Sequence, residues 1–282
     1  MKTIIDLIRL RQWYKNLVVF LPLIFSNLLL REDLFMDTLF AFVALCLISS
    51  ANYVINDIVD KKSDSVHPEK KNRPIASGKI SVTLGIVLAI LLIIMSTVLA
   101  YFLSKMFLLV IAILFLLNQF YSFFLKKEPF VDILLVSINF VIRAVSGVFV
   151  INRDISPWLI LCPFFLALFL VIGKRKSDMD FLGENSLKHK EVLKYYTSEI
   201  TANLLTISTT LLIIAYSLYA FLTNHKLLMI TIPIAIFVVF RYLYLIYSHS
   251  EIPRHPELMY KDKGVLFGSL LWLVLILLIL YL

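Results

Sequence analysis

Apolar residues fall in nine long runs divided by short polar stretches, and a run of about 18 or more with few charges is the mark of a membrane-crossing helix. The runs lie at Leu17 to Leu30, Leu34 to Ile55, Ile80 to Leu103, Met106 to Leu125, Val131 to Val150, Pro157 to Gly173, Ile200 to Leu222, Leu227 to Tyr247 and Val265 to Leu282. The first is short. No strand periodicity competes with them, so the pattern predicts an all-α, polytopic membrane protein of nine spans, folded as one domain over 1–282. The basic, amphipathic stretch from Met1 to Asn16 does not read as a cleavable signal.

Composition supports lipid as the main solvent. The chain is 60% hydrophobic and only 16% charged, which excludes a disordered or nucleic-acid-binding protein. Its formal charge of +8 says less than where the charge lies. With the N-terminus inside, nine spans leave Arg31, Lys105, Arg153 and Lys226 outside, and Arg143 and Arg241 within spans. All other Lys and Arg residues then fall on the inner side, the asymmetry expected of cytoplasmic loops. That orientation places the C-terminus outside and the long polar connections, Asn56 to Lys79 and Lys174 to Glu199, inside. Cys46 and Cys162 sit in apolar runs and read as small buried hydrophobes. The histidines are scattered, with no metal-ligand spacing.

Candidate chemistry concentrates at the inner end of the second span. Asn56, Asp57, Asp60 and Asp64 share one helical face, since residues three and four apart are neighbours on a helix. Like charges so arranged repel unless cations sit among them, and Mg²⁺ typically takes one or two carboxylates, with water and phosphate filling its other positions. A solvated helix end neutralised by Lys61 and Lys62 is the alternative. The basic, turn-rich strip that follows contains Lys70, Lys71 and Arg73. With the acids it would form an electrostatic clamp for a diphosphate, Arg73 gripping phosphate oxygens in bidentate fashion. Lys70 and Lys71 also fit a role as headgroup anchors.

Arg143 lies deep in an apolar run, where insertion scales put an arginine at ~2.5 kcal/mol or more. A phosphate ligand or a buried structural partner would justify it; Asp132 lies about three turns away on the same span, too far for a direct pair. Lys15, beside Trp13 and Tyr14, could reach phosphate or serve as an interfacial anchor, and Tyr121 could bind ligand or mark the interface. Arg241 can snorkel to the inner surface.

The run Asn-Asp-x-x-Asp-x-x-x-Asp from Asn56 to Asp64, continuing to Arg-Pro-Ile-Ala-Ser-Gly at Arg73 to Gly78, resembles the first aspartate-rich motif of the UbiA superfamily of intramembrane prenyltransferases. The segments Arg11 to Asn16, Tyr121 to Lys126, Phe140 to Gly147 and Gly173 to Arg175 are similar to its decaprenyl-phosphate phosphoribosyltransferase branch. The resemblance implies a nine-helix bundle with a central cavity under cytoplasmic loops. It implies transfer of 5-phosphoribose from phosphoribosyl diphosphate to a polyprenyl phosphate, with Mg²⁺ held by Asn56, Asp57, Asp60 and Asp64.

Ordinary members carry a second Asp-x-x-x-Asp motif after the sixth span. Here Lys174-Arg175-Lys176-Ser177-Asp178-Met179-Asp180 stands instead, although Asp180 and Glu184 keep the spacing. Two anionic substrates would need the added positive charge of Lys174 and Arg175; a basic anchor ending the sixth span is the simpler reading. On this resemblance Asp57, Asp60, Arg73 and Arg143 are the expected catalytic residues. Lys15, Asn56, Lys70, Tyr121, Lys126, Lys174, Arg175 and Asp178 are the expected substrate contacts. A conventional prenyltransferase with an aromatic or glycerol-phosphate acceptor is the competing enzyme, and an anion transporter the competing class. The expected surroundings are the lipid bilayer, without nucleic acid, and a homo-oligomer is left open.

Overall fold

The computed structural model describes residues 2–66, 70–125, 128–182 and 195–282, and every described element is helical. The helices are α1 (Lys2–Leu7), α2 (Leu21–Phe25), α3 (Glu32–Val59), α4 (Lys61–Ser65), α5 (Val82–Leu103), α6 (Lys105–Phe120), α7 (Val131–Ile151), α8 (Pro157–Leu182), α9 (Ser198–Leu222), α10 (Ile232–Tyr247) and α11 (Lys263–Tyr281). Among the described residues, eight helical segments are long and apolar enough to cross a bilayer, matching the second to ninth predicted spans.

The predicted first span, Leu17 to Leu30, takes a different form. A 3₁₀ helix covers Leu10–Phe20 and runs directly into α2. Pro22 has no N–H to give an α-type bond to Val18, whereas the Leu21 N–H reaches Val18 by the tighter 3₁₀ pattern. At ~2.0 Å per residue the 3₁₀ helix and α2 together are about 30 Å long, but Arg11, Gln12, Lys15 and Asn16 occupy the first half and only the part from Leu17 is apolar. The helical count is roughly consistent with the nine expected.

The chain divides into two compact units, Met1–Leu125 with Ile142–Asp154, and Lys126–Val141 with Ile155–Leu282. In the first unit, α3 is the central helix, and small residues let its neighbours approach. Ala41, Ala44 and Ala51 of α3, and Ala89 and Ala100 of α5, are all buried. The Ser96 hydroxyl donates to the Ala44 carbonyl at 2.8 Å. Close packing and such interhelical bonds drive association in lipid, where apolar burial alone gives little. Gly147 of α7 faces the 3₁₀ helix so closely that a Cβ would stand 2.1 Å from the Val19 carbonyl oxygen. Large side chains on the outer face of α5, including Leu84, Ile90, Leu91 and Met95, are exposed, as a lipid-facing surface requires.

The second unit packs Ile133, Phe169, Ile172, Leu205, Tyr242, Leu245 and Ile246 into one core. Helix starts in both units are capped by side chains. Ser81, Ser104, Thr197 and Asp262 accept from the N–H groups of Leu84, Phe107, Ile200 and Val265. Each satisfies an amide that a helix start otherwise leaves bare.

Candidate active site

In the first unit, α3 ends at Asp60 and the chain turns at once into α4, bringing the acids of both helices to one end of the unit. Asp57 and Asp64 are each 2% exposed. Arg73 Nη1 donates to Asp57 Oδ1 at 3.1 Å and to Asp64 Oδ2 at 2.6 Å, so one guanidinium bridges the two carboxylates. Lys70 Nζ stands 3.8 Å from Asp64 Oδ1. Burial lowers the Lys70 ammonium below the ordinary lysine range, as does nearby Arg73, against the opposing pull of Asp64 and Asp60. Asp60 and Asn56 are half-buried.

Arg9 joins this cluster. Its Nη2 donates to Asp57 Oδ1 at 2.5 Å, and its guanidinium lies 4.6 Å from the centre of the Tyr53 ring. The Arg9 backbone is left-handed (φ 51°, ψ 52°) between α1 and the 3₁₀ helix. A non-glycine residue holds that conformation at a cost of about 1–2 kcal/mol, which its side-chain contacts must offset. In sequence, Arg9 is one basic residue in an interfacial stretch, and no local spacing links it to an acid 48 residues away.

Deeper along the same unit lies a polar strip. Asn16 is 1% exposed, its Nδ2 donating to Cys46 Sγ at 3.2 Å and its Oδ1 accepting from Ser49 at 3.5 Å. Arg143 is buried at 8% exposure. Lys15 and Tyr121 are half-buried at the edges of the unit, and Lys126 lies outside the described residues.

Among the described residues, no group of three or more His, Cys, Asp or Glu converges into a ready-made metal cage. Mg²⁺ does not require one: it keeps several waters, binds through one or two carboxylates and shares phosphate oxygens. Asn56 Oδ1 is buried with no hydrogen-bond partner. An orphan carbonyl oxygen of this kind next to Asp57 is a hard oxygen donor in want of a cation or a water, so the residues present fit Mg²⁺.

In the second unit, two of the expected substrate contacts have protein partners. Arg175, expected to contact substrate phosphate, is 7% exposed and donates through Nε and Nη2 to Asp132 Oδ2 at 3.0 and 2.8 Å. The Tyr196 hydroxyl donates to Asp132 Oδ1 at 2.5 Å and accepts from the Phe130 N–H at 2.9 Å. Burial, then the bond to Asp132, pushes the Tyr196 phenol above its ordinary value. A carboxylate in an apolar run needs a buried partner. That partner is Arg175, 43 residues along the chain, rather than Arg143 on the same helix. Asp178, also expected at substrate, pairs with Arg254 at 3.3 Å, and Arg254 stacks on Phe181 at 3.7 Å. Lys176 is 3.5 Å from Asp180, whereas Lys174 is half-buried. Arg241, assigned no role, forms a fork with Asp262, with bonds of 3.1 and 2.8 Å.

Comparison with known proteins adds to this geometry. The profile of the UbiA prenyltransferase family matches residues 19–260. The decaprenyl-phosphate phosphoribosyltransferase of Mycolicibacterium smegmatis is 34% identical over 77% of this chain and 70% of its own. That of Corynebacterium glutamicum is 32% identical over 79% of this chain and 68% of its own. A UbiA homolog from Archaeoglobus fulgidus, solved bound to GPP and Mg²⁺, shares the fold with a TM-score of 0.76 at 17% identity, covering 99% of this chain and 100% of its own.

Proposed function

Since the chain belongs to the UbiA prenyltransferase family, we propose that it transfers 5-phosphoribose from phosphoribosyl diphosphate to a polyprenyl phosphate, with release of diphosphate. The observation that carries this reading is the end of α3, where Arg73 lies on both Asp57 and Asp64, with Arg9 and Lys70 close by. Acids for a divalent cation and bases for phosphate lie within reach of one diphosphate. The likeness to relatives named for phosphoribosyl transfer, rather than for prenyl transfer alone, favours the sugar donor.

Asn56, Asp57, Asp60 and Asp64 would hold Mg²⁺. Bound there, the metal would neutralise charge building on the departing diphosphate. Arg73 and Lys70 turn from the carboxylates to the diphosphate oxygens, the former as a two-pronged donor. Arg143, Lys15, Tyr121, Lys126 and Lys174 are assigned to the remaining phosphate groups of the two substrates. Arg175 and Asp178, which pair with Asp132 and Arg254 within the second unit, are proposed as further substrate contacts.

An oxygen of the lipid phosphate attacks ribose C1 as the bond from C1 to diphosphate breaks, and the incoming group takes the opposite face. No side chain forms a covalent intermediate. The attacking oxygen is already anionic, so no general base is needed, and rate enhancement comes from positioning and charge stabilisation. We place the site at the cytoplasmic face, with the N-terminus inside and the C-terminus outside, on the distribution of basic residues, and treat residues 1–282 as one working domain. Asp60→Ala is expected to abolish turnover in a protein that still inserts and folds; near-normal diphosphate release by that variant would remove Asp60 from the machinery.

A further inference from the structure

One turn deeper than Asn56, on the same side of α3, stands a side chain that the reaction so far leaves without a role. Asn52 is 4% exposed, and its Oδ1 accepts from Gln119 Nε2 of α6 at 2.5 Å. Its own donor, Nδ2, is buried with no hydrogen-bond partner. A pair of amides between two membrane helices is ordinary helix-to-helix glue, but here it leaves the Asn52 donor unmatched. Asn52 Nδ2 is a bare donor about 6 Å along the helix from Asn56, whose Oδ1 is likewise bare. Ser49 continues the polar face in the opposite direction, buried at 7%. A wall built to line a prenyl chain has no reason to carry such groups, because burying an unmatched amide donor in an apolar surround is unfavourable.

We propose that Asn52 is the specificity-determining residue for the donor's sugar, its Nδ2 donating to the ribose 2-hydroxyl, with Gln119 as the positioning residue that fixes the amide's orientation. This rests on the phosphoribosyl reading above. The 2-hydroxyl is carried by the carbon next to the one that bears diphosphate. In a prenyl diphosphate the corresponding carbon carries only hydrogen. With diphosphate held at the motif on the side of Asn56 and Asp60, the next turn of α3 on that side is the one that carries Asn52, and the 2-hydroxyl is assigned to it. Gln119 donates to Asn52 Oδ1, which leaves Nδ2 as the atom presented. A site that hydrogen-bonds a substrate hydroxyl discriminates against the analogue lacking it, because its own polar group is then left unmatched.

The test measures binding of phosphoribosyl diphosphate, its 2-deoxy analogue and inorganic diphosphate, each with Mg²⁺, to the full-length protein in lipid nanodiscs. The wild type is expected to bind the 2-deoxy analogue roughly 10- to 100-fold more weakly than the parent, or about 1.4–2.8 kcal/mol. Asn52→Leu is expected to bring the two ligands within about twofold of each other while inorganic diphosphate binds as before. Equal binding of the two sugars by the wild type, or full discrimination retained in Asn52→Leu, overturns the proposal. If Asn52→Leu does not fold, Gln119→Met decides: loss of discrimination with diphosphate binding intact supports the assignment, and full discrimination overturns it. A wild type that binds a prenyl diphosphate but not phosphoribosyl diphosphate overturns the parent reading of the reaction, and this inference with it.

Discussion

Replacing Arg73 with Gln removes the cation that joins two buried carboxylates. Asp57 and Asp64 are each 2% exposed, and Arg73 donates to them at 3.1 and 2.6 Å. Stripping a buried pair of one partner costs about 3–5 kcal/mol, chiefly through the charge left behind. Here the loss is reduced. Arg9 remains on Asp57, and Lys70 remains 3.8 Å from Asp64. The Arg73 side chain is itself 27% exposed, so solvent screens part of the interaction. A loss of about 2 kcal/mol is therefore expected, borne mainly by Asp64. The variant also carries one less positive charge among the acids, so a divalent cation added to it should restore stability more than it raises that of the wild type. Thermal unfolding in detergent, followed by tryptophan fluorescence with and without Mg²⁺, reads both effects. Unchanged stability, or the same Mg²⁺ response in the two proteins, would refute the view that Arg73 and the metal neutralise the same carboxylates.

Other expectations follow from single contacts. Gly147→Ala places a Cβ 2.1 Å from a backbone oxygen that cannot rotate away, so α7 and the 3₁₀ helix must separate; a loss of at least about 1–3 kcal/mol should appear in the same unfolding assay. Asp132→Asn breaks a buried charge pair and should destabilise the second unit by about 3–5 kcal/mol, whereas Tyr196→Phe, which removes the bond to Asp132 and the acceptor of the Phe130 N–H, should cost less, about 2–3 kcal/mol; equal losses would discount the Arg175 pairing. Asp262→Ala removes the cap of α11 and the fork to Arg241, a loss of about 1–2 kcal/mol. The hydrogen bond from Arg241 holds the Asp262 carboxyl below its ordinary 3.8. Its contribution is thus full above about pH 4 and lost as pH falls through the lowered value, and a wild-type advantage over Asp262→Ala that persists unchanged at pH 2 would contradict this.

The spans were legible because lipid imposes a length and an apolarity that few other structures share. Only the first departed, since Pro22 lacks the N–H for an α-type bond to Val18, which hydropathy does not record. The acidic motif was legible for a related reason: Asn56, Asp57, Asp60 and Asp64 lie on one short stretch, where helical geometry alone fixes their neighbourhood. Partners far along the chain were not. Arg9 reaches Asp57 across 48 residues and Arg175 reaches Asp132 across 43, and only tertiary packing brings them together. The signal for the second pair was nonetheless present. An aspartate in an apolar run demands a cation, and the nearest basic residue in sequence is no guide to which cation answers. The Lys174 to Lys176 triplet shows the same limit: three adjacent cations read as one patch, yet Arg175 and Lys176 turn to different acids.

The reaction itself is tested most directly by donor choice. Purified protein in lipid, with Mg²⁺ and a polyprenyl phosphate, would be given phosphoribosyl diphosphate labelled in the ribose, and in parallel a labelled prenyl diphosphate with aromatic and glycerol-phosphate acceptors. The account predicts label from the ribose in the lipid fraction, one diphosphate released per sugar transferred, and no transfer of the prenyl group. Label moving only from the prenyl donor would contradict it.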